Sequence, residues 1–149
     1  MDDLIIREMV EADIEAVLEI ERESFPGDAW TREIYRCEII ENHFAHYYVM
    51  LLGEVYVGFV GMWIVIDDAQ ITNIAISPDF RGRKLGEKLF GFAMQRAIQS
   101  RAKRLSLEVR ESNIIAQRMY NKFGLIPGGI RKNYYKYKQE DAIVMWVNL

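Results

Sequence analysis

The run Arg81-Gly82-Arg83-Lys84-Leu85-Gly86-Glu87-Lys88 concentrates cations and glycines immediately before an amphipathic stretch. Backbone N–H groups at a helix start, the positive end of the helix dipole and adjacent cationic side chains together suit a phosphate or diphosphate. The same residues also describe an ordinary solvated basic loop. No G-x-x-x-x-G-K-[ST] run is present, so this is not a P-loop, and without G-x-G-x-x-G it is not a dinucleotide fingerprint. The other reactive residue types stand alone. Cys37 lies in the helical-looking run Tyr35-Arg36-Cys37-Glu38-Ile39 with no motif beside it and reads as a structural thiol. His43 and His46 have no third ligand nearby, so no metal site is expected.

A phosphate cradle needs a strand before it and a helix after it. Ala69 to Ile76 reads as the strand. Gly86 to Ser100 reads as the helix, with Leu85, Leu89, Ala93 and Ala97 in one stripe and Phe90, Met94 and Ile98 beside it. Upstream, Leu4 to Met9 reads as a strand and Asp13 to Ser24 as a helix, with Ile14, Val17 and Leu18 at i, i+3, i+4. Phe25-Pro26-Gly27-Asp28 breaks that helix. Thr31 is expected to cap a second one, Arg32 to about Ile40, with Trp30 and Tyr35 as a hydrophobic staple. Ala45 to Leu52 and Val55 to Ile66 read as strands joined at Gly53-Glu54. Asp67-Asp68 then turns the chain into Ala69 to Ile76, completing an antiparallel meander.

Downstream, Arg104 to Val109 reads as a strand with Leu105, Leu107 and Val109 on one face and Ser106, Glu108 and Arg110 on the other. Asn113 is a good N-cap for a helix from Ile114 to Phe123, and Gly124 a good residue just past its end. Leu125 to about Arg131 and Ala142 to Val147 read as the last strands, around a polar, Tyr-rich loop from Lys132 to Asp141. The order β-α-α-β-β-β-α-β-α-β-β predicts an α/β class fold, a mixed sheet flanked by helices.

The chain has 149 residues, half of them apolar, which supports one packed domain over residues 1–149 and argues against disorder. A net charge of −3 provides no global basic field and disfavours direct nucleic-acid binding. Arg101, Lys103 and Arg104 read as a solvated helix end. The opening Met1-Asp2-Asp3-Leu4 has no basic n-region, and the longest apolar run, Val55 to Ile66, is too short to span a bilayer; no membrane partner is expected. A single cysteine fits a reducing, cytoplasmic compartment.

From Asn73 to Leu89 the chain resembles the acetyl-CoA-binding motif of the GCN5-related N-acetyltransferases (GNAT), R/Q-x-x-G-x-G/A. Over essentially its full length it is similar to the bacterial ribosomal-protein alanine N-acetyltransferases, the RimI type. The segments that carry this are Asn73-Ile74-Ala75-Ile76-Ser77-Pro78-Asp79-Phe80, Leu107-Glu108-Val109-Arg110-Glu111-Ser112-Asn113, Ala116-Gln117-Arg118-Met119-Tyr120-Asn121-Lys122-Phe123-Gly124, Ile130-Arg131-Lys132-Asn133-Tyr134-Tyr135 and Glu140-Asp141-Ala142. One position departs from the motif: Lys84 stands where glycine is usual.

The resemblance implies the GNAT fold, a central, mostly antiparallel twisted sheet of about seven strands flanked by about four helices. It implies acetyl transfer from acetyl-CoA, a co-substrate, to the α-amine at the N-terminal segment of a small-subunit ribosomal protein, with no metal. Another protein terminus, a small-molecule amine, or a role as a weakly catalytic acyl-CoA-binding regulator are the alternatives. It assigns Glu108 as base and Tyr120 as acid. Ile74, Ala75 and Ile76 would contact the pantetheine arm through their backbone. Arg81, Gly82, Arg83, Lys84, Leu85, Gly86 and Glu87 would hold the pyrophosphate, and Asn113 would also contact the co-substrate. Phe25, Trp30, Tyr134 and Tyr135 lie in segments that flank the acceptor groove.

Overall fold

The computed structural model describes residues 3–149; Met1 and Asp2 of the opening stretch lie outside the described residues. Strands β1 (Leu4–Glu8), β2 (Ala45–Leu52), β3 (Val55–Val65), β4 (Asp68–Ile76), β5 (Arg104–Arg110), β6 (Ile126–Tyr135) and β7 (Glu140–Asn148) form one sheet in the order β1-β2-β3-β4-β5-β7-β6. Helices α1 (Ile14–Ser24) and α2 (Arg32–Ile40) cover one face, and α3 (Leu85–Gln99) and α4 (Ile114–Lys122) the other. All neighbouring strands are antiparallel except β4 and β5.

Local chemistry explains most boundaries. The Thr31 hydroxyl accepts from the Ile34 N–H at 3.3 Å to start α2. Trp30 and Tyr35 lie with ring centroids 5.3 Å apart, as a staple requires. Asn113 Oδ1 accepts from the Ala116 N–H at 3.1 Å to start α4. Helix α1 begins one residue later than the apolar spacing suggests, after a 3-10 turn over Glu11–Asp13. The Asp13 carboxylate is engaged elsewhere, taking the Val10 N–H at 2.8 Å and two bonds from Arg7.

The segment read as a polar loop is largely strand. β6 continues to Tyr135, and only a 3-10 turn, Tyr137–Gln139, separates it from β7. As the sheet's edge, exposed along almost its whole length, β6 needs no apolar alternation to be stable. Between the Arg131–Ala142 and Tyr135–Glu140 pairs its register is irregular, and the Asn133 N–H donates to Asp141 Oδ1 at 2.8 Å.

Two apolar cores fill the layers. One packs α3 and α4 against β2 to β5 and β7; Leu89, Phe90, Ala93 and Leu105 are fully buried there. The other packs α1 and α2 through Ile14, Val17, Tyr35 and Phe59.

The feature that opens the sheet is a bulge in β4. Gly61 pairs with Asn73 and the next residue, Met62, with Ile71, leaving Thr72 as the extra residue. The bulge reverses the side-chain phase of β4: Ile71 faces the α3 side, whereas Asn73 and Ala75 face α1 and α2. Beside it, β4 and β5 pair only over Asp68–Gln70 against Arg104–Ser106 and then diverge.

Candidate active site

The divergence of β4 and β5 creates a cleft of about 310 Å³. Ile71 to Ile74 line one side and Leu107 to Arg110 the other. Phe25, Asp28 and Trp30 between α1 and α2, together with Tyr134 and Tyr135, form a further wall.

Glu108 and Tyr120 reach this cleft from opposite faces of the sheet. On β5, Leu105, Leu107 and Val109 pack into the α3–α4 core, so Glu108 faces the α1–α2 side. Its side chain is 8% exposed. Gln70 Nε2 donates to its two oxygens at 3.4 and 3.3 Å, and Arg131 Nε lies 3.5 Å from Oε1. The Tyr135 hydroxyl donates to the Glu108 carbonyl at 3.4 Å. Tyr120 projects from α4 within the other core, its ring 5.0 Å from that of Phe90. Its hydroxyl makes no hydrogen bond among the described residues, yet no polar side-chain atom there is both fully buried and unpartnered. The hydroxyl therefore keeps access to the cleft that Tyr120 lines. Burial pushes the phenol up, so it keeps its proton at neutral pH.

Beyond the bulge, hydrogen bonding alternates along β4. The Ser77 N–H donates to the Val57 carbonyl at 2.8 Å, which fixes the phase. By that alternation Ala75 directs its backbone to Phe59, and Ile74 and Ile76 direct theirs into the divergence. Ile74 and Ile76 thus offer an unpaired strand edge, whereas the Ala75 backbone is turned to β3 and does not face the divergence, contrary to the backbone contact expected of it.

At the end of β4 the chain passes through Pro78–Phe80 and the basic run into α3. Gly82 and Lys84 both take left-handed backbone conformations, with φ of 80° and 61°. Lys84 therefore adopts the geometry that makes glycine usual at its position. Leu85, Gly86 and Glu87 form the first turn of α3, which carries no side-chain cap, leaving its amides free for an anion. A Cβ on Gly86 would meet only Met119 and Ile76 atoms at 3.6 and 3.7 Å. The fold has room for alanine there, in keeping with a motif that takes glycine or alanine at this position.

Not every cation of the run is free. Arg81 Nε donates to the Ile76 carbonyl at 3.0 Å and Nη2 to Ser24 Oγ at 3.1 Å, so Arg81 ties the turn to α1. Arg83 stacks over the Phe80 ring at 5.2 Å. Glu87 pairs with Lys122 at 2.9 Å, linking α3 to α4. Asn113 caps α4 and also lines the cleft.

The structure also gives parts to residues that sequence reasoning assigned no role. Arg110 pairs with Asp28 and, at 3.3 Å, with Glu140, and stacks on Tyr135 at 4.1 Å. This joins the α1–α2 loop to the β6–β7 turn across the cleft; Asp28 Oδ1 also accepts from the Tyr137 N–H at 3.2 Å. Glu21 and Asn73 are buried in the wall behind it. For Glu21 a signal existed: it continues the Ile14, Val17, Leu18 stripe at helical spacing. Among the described residues no group of three or more His, Cys, Asp or Glu is placed to hold a metal ion.

Fold and cleft define the class of protein, an acyltransferase. The sequence model of the acetyltransferase (GNAT) family matches residues 14–125, and the chain belongs to that family. It is 51% identical, over 97% of its length and 95% of the relative's, to a Bacillus subtilis (strain 168) protein named as a candidate ribosomal protein bS18-alanine N-acetyltransferase. It is similar to the crystal structure of the ribosomal-protein-S18-alanine N-acetyltransferase from Escherichia coli, with a TM-score of 0.88 and 26% identity, covering 98% of this chain and 94% of that one. The PaiA N-acetyltransferase from Thermoplasma acidophilum in complex with coenzyme A shares the fold at a TM-score of 0.83 and 17% identity, covering 99% of each chain.

Proposed function

We propose that this chain transfers acetyl from acetyl-CoA to the α-amine of an N-terminal alanine of a small-subunit ribosomal protein, by direct attack in a ternary complex. The names of the relatives support the acceptor. The chemistry rests on one observation: Glu108 and Tyr120 meet a single cleft from opposite faces of a split sheet.

An α-amine has a pKa near 8, so roughly a tenth is neutral at pH 7 and the base has a modest task. The amine enters from the α1–α2 face, where Glu108 lies. Its nitrogen forms a bond to the thioester carbonyl carbon, the C–S bond breaks, and the nitrogen's surplus proton passes to Glu108. Tyr120, protonated and on the other side, gives a proton to the departing sulfur. Ile74 and Ile76 hold the pantetheine arm as an added strand would, and the first turn of α3 with Arg83 and Lys84 holds the pyrophosphate. Arg81 and Asn113 shape this site through the turn and cap they fix. Positioning supplies much of the rate, because both reactants are held in one cleft.

The test measures release of the CoA thiol across short peptides. A peptide beginning Ala-Arg is expected to react, and the same peptide with a blocked N-terminus is not. Glu108→Gln is expected to lower kcat by about 10²–10⁴. Transfer to lysine in the blocked peptide, with none to the free terminus, refutes the α-amine assignment. Undiminished transfer by Glu108→Gln removes Glu108 as the base.

A further inference from the structure

Glu21 is a carboxylate on the apolar stripe of α1, 2% exposed, and the chemistry above does not use it. Its oxygens collect donors from separate segments. The Trp30 N–H donates to Oε2 at 3.1 Å, and Asn73 Nδ2 and the Tyr35 hydroxyl donate to Oε1. Asn73 extends the network: its Oδ1 accepts from Thr72 Oγ1 at 2.7 Å, and Thr72 Oγ1 also bonds the Tyr47 hydroxyl at 2.7 Å. One buried carboxylate thus connects α1, the loop carrying the Trp30 wall, α2, and the bulge at which β4 leaves β5.

An apolar side chain on this stripe would hold α1 without the cost of burying an ion. Burial does push the Glu21 carboxyl up, against the bonds from Tyr35, Trp30 and Asn73. What the carboxylate adds is direction, since it takes donors from several elements at fixed angles.

We propose that Glu21 is a positioning residue, fixing the Trp30 wall of the acceptor cleft against the Thr72–Asn73 bulge and thereby setting where the acceptor amine stands relative to the thioester. This rests on the acyl-transfer reading of the cleft. Glu21 touches neither reacting group; it acts through Trp30 and Asn73.

Glu21→Gln keeps the shape but offers one acceptor oxygen and an NH₂ group to donors that all need acceptors. The Trp30 amide is expected to exchange its hydrogen about tenfold faster. KM for an alanine-initiated peptide is expected to rise about tenfold, while the Kd for CoA stays within about twofold. Tyr35→Phe, which removes a donor from the other end, is expected to show the same split in smaller measure. Unchanged Trp30 exchange and peptide KM in both variants overturn the proposal. So does a joint shift of peptide KM and CoA Kd, which marks a general loss of fold. If the wild-type protein acetylates no peptide, the functional reading fails by itself, and Trp30 exchange set against CoA Kd still decides whether Glu21 holds the wall.

Discussion

Lys84 shows how a single residue can depart from a pattern and keep its geometry. A left-handed backbone costs an L-residue about 1–2 kcal/mol, which glycine avoids. Lys84 takes that conformation nonetheless, at φ 61° and ψ 19°, immediately ahead of the α3 amides. The strain is offset if its ammonium contributes to anion binding. Lys84→Gly is expected to weaken CoA binding about tenfold by calorimetry. Its stability by denaturant titration is expected to stay within about 1 kcal/mol, since relief of strain and the greater freedom of glycine in the unfolded chain oppose each other. Unchanged affinity would rule out an ionic role. Arg81 carries the opposite lesson. It occupies the motif's first position, but its guanidinium is spent on Ile76 and Ser24, so it shapes the loop from within.

At the scale of elements, β5 and β4 contrast. The alternation Leu105, Leu107, Val109 placed Glu108 on the opposite face directly from sequence, because β5 runs without a bulge. On β4 the same rule fails at Thr72, where one unpaired residue reverses the phase and turns Asn73 toward Glu21. Nothing in the residue types marks that bulge; the register with β3 creates it. The start of α1 supplies a test of its own. Asp13, 1% exposed, receives Arg7 at 2.8 and 2.9 Å, the Val10 N–H and the Tyr56 hydroxyl, anchoring α1 to β1 and β3. Burial works to raise its carboxyl, but bonds from Arg7, Tyr56 and Val10 outweigh that and hold it at about 2. The folded value lies below the unfolded one, near 4. The stabilisation is therefore complete above about pH 5 and fades as pH falls toward 2. Asp13→Asn is expected to cost about 2 kcal/mol at pH 7. Its gap from the wild type should close as denaturation is repeated at falling pH; a gap independent of pH contradicts the assignment.

For the molecule as a whole, the sheet is weakly joined at its centre, since β4 and β5 share pairing only over Asp68–Gln70. The halves are held by the core beneath. That core runs from Tyr48 on β2 through α3 to Leu107 on β5 and Met145 on β7. Phe90 is fully buried within it, with its ring 5.0 Å from those of Tyr120 and Phe123. Phe90→Ala is expected to cost about 3–5 kcal/mol. Unfolding should remain one transition by both far-UV circular dichroism and tryptophan fluorescence, because the core spans both halves. Two separated transitions would show that the halves fold independently. The open centre is what makes the site: a fully paired β4 and β5 would leave no cleft between Glu108 and Tyr120.

The sequence by itself determined most of the elements, their order, the α2 and α4 caps, the α3 start and the face of β5 on which Glu108 stands. Each of these depends on local period, capping chemistry or a contiguous motif, which neighbouring residues encode. Only the tertiary structure decided that β7 lies between β5 and β6, that the tyrosine-rich loop is an edge strand, and which donors gather on Glu21. It also decided that β4 splits from β5 at a bulge. These depend on hydrogen-bond register and burial between residues far apart in the chain, which no local pattern specifies.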